Sequence, residues 1–77
     1  MEIKLRYYGQ LQEATGKSEE IISKHFSTIG QLNDYLIKSY PKLENHNYKI
    51  AQNNIIESYN KPLIGNRIDL LPPFSGG

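Results

Sequence analysis

Apolar and polar residues alternate almost from the first position. In EIKLRYY, residues 2–8, Ile3, Leu5 and Tyr7 fall on one side and Lys4, Arg6 and Tyr8 on the other, the period-two pattern of a half-buried strand. Residues 9–17 open and close near Gly9 and Gly16 and carry Leu11 and Ala14 at helical spacing, which predicts a loop holding about one helical turn. A looser alternation follows in SEEIISKHF, with Glu20, Ile22 and Lys24 opposite Ile21, Ser23 and His25, and predicts a second strand. Thr28 with Gln31 makes a capping box, after which Ile29, Leu32, Leu36 and Tyr40 recur on one helical face until Pro41 ends the run. NYKIAQNNIIESY reads as two short strands meeting at Asn53-Asn54, a pair that tolerates the positive φ of a tight turn. KPLIGN is a turn region. RIDLL then alternates again, Ile68 and Leu70 inward and Arg67, Asp69 and Leu71 outward, until Pro72 and Pro73 remove the backbone donors a strand needs.

Strand, strand, helix, strand, short strand, strand is the order of an α+β domain in which one helix lies across one face of a mixed sheet. A last strand reached by a crossover lies beside the first and parallel to it. Tyr8 and Leu71 then share the face turned away from the helix, and an uncovered, partly apolar face is the mark of a docking surface.

Composition limits what this domain does. With 77 residues, 38% of them hydrophobic, the chain suffices for one core and no second domain. The absence of cysteine excludes disulfides and thiolate metal sites and fits a reducing, cytoplasmic setting. No apolar run approaches the roughly 18–20 residues of a membrane span, and the amino terminus has no leader pattern. Nine basic residues against eight acidic ones leave a formal charge of +1, so nucleic acid and anionic membranes are not expected partners and recognition rests on shape.

Three apparent motifs carry no chemistry. Gly16-Lys17-Ser18 suggests a phosphate loop, but Leu11 stands where that motif has glycine, Glu19 and Glu20 repel phosphate, and a strand rather than a helix is expected next. KLRYY mixes bases with aromatics as single-strand RNA platforms do, yet strand alternation already accounts for it. His25 and His46 are isolated, with no paired carboxylates at ligand spacing, so no metal site is expected.

The strand IKLRYYGQLQEATG, the capped STIGQLNDYL, the segment KPLIGNRIDLLPP and the closing PPFSGG together resemble the small subunit of molybdopterin synthase over nearly the whole chain. The resemblance implies a ubiquitin-like β-grasp fold over residues 1–71 and an extended tail over residues 72–77. Three departures stand out. The turn before the last strand is one residue short, Asn66 takes the place of an acid, and Gln52 replaces an apolar residue in a region bearing on the partner surface.

What the resemblance implies for chemistry concerns the end of the chain, LLPPFSGG. A carboxylate is a poor electrophile until ATP converts it to an acyl-adenylate, which a sulfur nucleophile can then attack. On this reading Gly77 bears the adenylate and then a thiocarboxylate, with Gly76 beside it, and the sulfur passes to a cyclic pterin precursor to build a dithiolene. The implied partners are the large catalytic subunit, in a heterotetramer, an E1-like adenylating enzyme and a sulfur donor protein. No cofactor is held permanently, ATP belongs to the activating partner, and the catalytic groups belong to partners too. Partner binding is assigned to Tyr8, Ile55, Leu71, Pro72, Pro73, Phe74 and Ser75, with Phe74 as an anchor at the channel mouth. A terminal Gly-Gly by itself is more often a frayed end; the prolines and the strand pattern give it meaning. Glycines without Cβ atoms suit a narrow passage, and six extended residues reach at most about 20 Å at roughly 3.3–3.6 Å each. Two other uses of such a tail stay open: a carrier of the thiamine thiazole type, and a protein modifier joined through Gly77 to a lysine amine.

Overall fold

The computed structural model describes residues 2–73. The alternating segments become strands β1 (Ile3–Tyr7), β2 (Glu19–Ile22), β3 (Lys49–Gln52), β4 (Ile55–Glu57) and β5 (Arg67–Leu71). They form one sheet in the order β2-β1-β5-β3-β4. β1 and β5 are parallel, in register Leu5 with Ile68 and Tyr7 with Leu70, while the remaining neighbours are antiparallel. The expected parallel pairing of the first and last strands is present, at the centre of the sheet, and the mixed sheet with its helical cover is a ubiquitin-like β-grasp.

The main helix, α2 (Ile29–Ser39), turns Ile29, Leu32 and Leu36 onto the sheet, where they join Ile3, Leu5, Ile50, Ile68 and Leu70 in one core. Its start follows the expected residues with a shift. The Thr28 hydroxyl accepts from the Gln31 N–H at 3.1 Å, but the Gln31 side chain accepts from the Ser27 N–H at 2.8 Å rather than from Thr28. Tyr40 lies just beyond the helix as its C-cap, its N–H donating to the Leu36 carbonyl at 2.7 Å.

The single turn expected after β1 is helix α1 (Leu11–Thr15), closed by Gly16 at φ 78°. β2 ends at Ile22, so Lys24 and His25 fall outside the alternation predicted for them. A 3-10 helix, Pro41–Asn45, has no counterpart in the sequence reading, and it sends Leu43 fully into the core. At the β3–β4 hairpin, Asn53 and Asn54 take φ 50° and 71°, the paired positive angles of a two-residue turn whose twist matches its strands. Gly16-Lys17-Ser18 leads into a strand, which removes the helix N-terminus a phosphate loop requires. Among the described residues no helix is long and apolar enough to cross a membrane.

Candidate functional site

With α2 and the core on one face, the pleat fixes what stands on the other. Residues paired across strands share a face, so the registers set Glu19, Arg6, Asp69, Ala51 and Ile56 in one row and Ile21, Lys4 and Arg67 in the next. A third row begins at the end of the parallel pair, with Leu71 opposite Lys49. Tyr8 continues this row beyond β1, its N–H donating to the Leu70 carbonyl at 3.3 Å. Tyr8 is 37% exposed and Leu71 half-buried. The Arg6 pKa is raised, first by the neighbouring Tyr8 side chain and further by Glu19 and Asp69, consistent with all four on this surface. The face is therefore uncovered as expected, but its apolar residues are interleaved with charges.

Ile55 departs from the expected patch. It pairs with Gln52, and Gln52, 3% exposed, lies on the core side with Ile50. Ile55 is thus turned to the helical side at the sheet edge, 62% exposed, while Ile56, 54% exposed, occupies the outer face. Counting across the two-residue turn gives this result from the sequence, because the residues flanking such a turn face the same way.

Gln52 is a clamp and not a part of the outer surface. Its Nε2 donates to Glu57 Oε2 at 3.1 Å and to the Pro62 carbonyl at 3.2 Å, and its Oε1 accepts from the Ile64 and Gly65 N–H groups at 2.8 and 2.9 Å. The short turn into β5 is therefore held from inside. A Cβ at Gly65 would stand 2.6 Å from the exposed Asn53 amide, which would have to turn aside.

At the other end of the sheet Glu20 accepts from the hydroxyls of Tyr7 and Tyr40 and lies 3.7 Å from the Lys17 ammonium. Burial, with the Glu20 hydrogen bond second, pushes the Tyr7 pKa far above the ordinary phenolic value. Burial likewise lifts Tyr48 to about 12.

The chain leaves β5 through Pro72, half-buried against the turn after β1, and Pro73, exposed. Phe74, Ser75, Gly76 and Gly77 lie outside the described residues. Of the residues expected at the docking surface, the structure brings Tyr8, Leu71, Pro72 and Pro73 to one end of the sheet and leaves Ile55 on its other face.

The sequence profile of the ThiS family matches residues 5–77. The chain belongs to the ThiS family. Among solved structures, a molybdopterin converting factor subunit 1 from Pyrococcus furiosus superposes with a TM-score of 0.85 at 20% identity, over 96% of this chain and 99% of that one. A complex of subunits 1 and 2 of the molybdopterin-converting factor from Helicobacter pylori gives 0.68 at 25% identity, with both chains covered in full. The small archaeal modifier protein 1 from Methanosarcina acetivorans gives 0.75 at 23% identity, over 99% and 96%. This ThiS-family chain is a ubiquitin-like sulfur carrier of the type that includes molybdopterin converting factor subunit 1.

Proposed function

We propose that this ThiS-family protein is the sulfur-carrier subunit of a molybdopterin synthase, with the carboxylate of Gly77 as the reacting group. The observation that carries the reading is the family match running through Gly77, joined to a strand that delivers Pro72 and Pro73 at the end of an uncovered sheet face. An E1-like enzyme uses ATP to form the Gly77 acyl-adenylate, releasing pyrophosphate. A sulfur nucleophile at the oxidation level of hydrosulfide then displaces AMP, leaving the thiocarboxylate that donates sulfur to a cyclic pterin precursor in the large subunit. ATP and all catalytic side chains belong to the partners, and the setting is cytoplasmic. Residues 1–71 act as the docking body and residues 72–77 as the donor arm, with Phe74 anchoring beside the channel and Ser75 and Gly76 within it. The Helicobacter complex of subunits 1 and 2 supports a large-subunit partner.

The likeness to the small archaeal modifier protein favours a second use of the same end, in which a lysine amine attacks the activated Gly77 and forms an isopeptide. Incubation with an adenylating enzyme, ATP and a sulfur donor, read by intact mass, separates the two. Exchange of one oxygen for sulfur supports the carrier, and covalent ladders on other proteins support the modifier. Deleting Gly77 shortens the arm by about 3.5 Å, and a misplacement of about 1 Å can already lower a rate roughly a hundredfold. The deletion variant is expected to keep the wild-type melting temperature and to lose sulfur transfer; full conversion by that variant overturns the proposal.

A further inference from the structure

Two glycines follow elements at positive φ, Gly9 at 59° and Gly16 at 78°, and they differ in what surrounds them. A Cβ on Gly16 meets nothing within 4 Å, so the backbone angle alone accounts for that glycine. A Cβ on Gly9 would stand 3.2 Å from Cγ and 3.9 Å from Cβ of Pro72. A side chain at Gly9 would thus press on the ring of the first residue beyond β5, which would have to give by a few tenths of an ångström.

We infer that Gly9 is a positioning residue for the donor arm: the space left by its missing side chain seats Pro72 and so sets the direction in which the chain leaves the sheet. This rests on the carrier reading given above. The parallel ladder reaches its last bond where the Tyr8 N–H meets the Leu70 carbonyl at 3.3 Å. The next bond of a parallel ladder needs an N–H from residue 72, which proline lacks. The Tyr8 carbonyl is already used, accepting from the Leu11 N–H at 3.1 Å. Beyond Leu71, ring packing against Gly9 takes over from hydrogen bonding. The seat itself is firm, because the Gly9 carbonyl accepts from the Gln12 N–H at 3.1 Å and the Gln12 side chain donates to the Tyr7 carbonyl at 3.0 Å. Pro72 and Pro73 each fix their own φ, but that alone does not orient the arm relative to the body. Contact with Gly9 does.

The test separates the seat from the backbone angle. Asparagine tolerates positive φ, so Gly9→Asn keeps the turn while filling the seat. Gly16→Asn makes the same exchange where no seat exists. Pro72→Ala removes the Cγ that a new Cβ would strike. In the full chain, Gly9→Asn is expected to lower kcat for thiocarboxylate formation by about tenfold, the scale of a sub-ångström misplacement of a reacting group. KM and the affinity for the adenylating enzyme should stay within about twofold, a split that a general loss of structure does not produce. Gly16→Asn should leave kcat unchanged. Gly9→Asn with Pro72→Ala should turn over like Pro72→Ala alone, because the two positions act through one contact. Wild-type kcat in Gly9→Asn, or multiplicative losses in the double variant, overturns the seat. A wild-type chain that acquires no sulfur overturns the carrier reading instead. The seat is then decided by nuclear Overhauser contacts between Gly9 and the Pro72 ring and by residual dipolar couplings of residues 73–77. Contacts present in wild type, with couplings altered in Gly9→Asn and not in Gly16→Asn, support it, and any other pattern overturns it.

Discussion

Gln52 spends both ends of its amide on the turn into β5, and no sequence pattern announces this. A glutamine in place of an apolar residue reads as a change in surface, whereas its side chain faces inward and satisfies backbone groups that the short turn leaves without partners. Gln52→Leu keeps a similar volume but strands the buried Gly65 N–H, at about 1–3 kcal/mol, while the N–H of the exposed Ile64 can turn to water. We expect a loss of about 1–3 kcal/mol in urea unfolding, with the slope of the transition unchanged. Tyr7 supplies a prediction in pH. Its hydroxyl stays protonated in the folded chain at pH values where an exposed tyrosine ionises, so above pH 10 the unfolded state binds fewer protons and stability falls as pH rises. Tyr7→Phe should be less stable at pH 7, by about 1 kcal/mol for the lost hydrogen bond, yet lose less between pH 10 and 12. Melting temperatures of both proteins across that range check the sign.

At the scale of elements, β1, β5 and α2 are legible because each repeats one period over several residues: Ile3, Leu5 and Tyr7 and then Ile68 and Leu70 at every second position, Ile29, Leu32 and Leu36 at helical spacing. The 3-10 helix is not, since five residues with a single core side chain, Leu43, establish no period and Pro41 reads only as a stop. The pattern overextends β2 because Lys24 continues the side of Glu20 and Ile22, and His25 that of Ile21 and Ser23, past the last paired residue, Ile22. The capping residues were legible and their pattern of bonds was not, because Gln31 has a long enough side chain to reach Ser27 instead of Thr28. Thr28→Ala removes the hydroxyl that accepts from Gln31 and should cost about 1 kcal/mol, measured by thermal unfolding, with Thr28→Asn restoring most of it.

For the whole molecule the decisive division is between the two faces of the sheet. Parity along β1 and β5 places Tyr8 and Leu71 together, whereas Ile55 enters only through the resemblance; because Gln52 pairs with Ile55 across the Asn53-Asn54 turn, the β4 member of the outer face is Ile56. Leu71→Asp and Ile56→Asp should each weaken binding to the adenylating enzyme, Leu71→Asp by about 2 kcal/mol as an unpaired charge within an interface, while Ile55→Asp leaves binding unchanged. Titration calorimetry beside melting curves checks this, and a larger effect from Ile55 than from Ile56 would reverse the assignment of faces. The sheet order has a mechanical consequence as well. The strand that ends in the arm is central, paired along its length with β1 on one side and β3 on the other. Tension applied to the carboxyl end in the direction of β5 therefore loads both ladders in shear, so that their bonds share the force and do not open one after another. The end of β5 at Leu71, nearest the pull, therefore does not peel away from the body ahead of the rest of the strand.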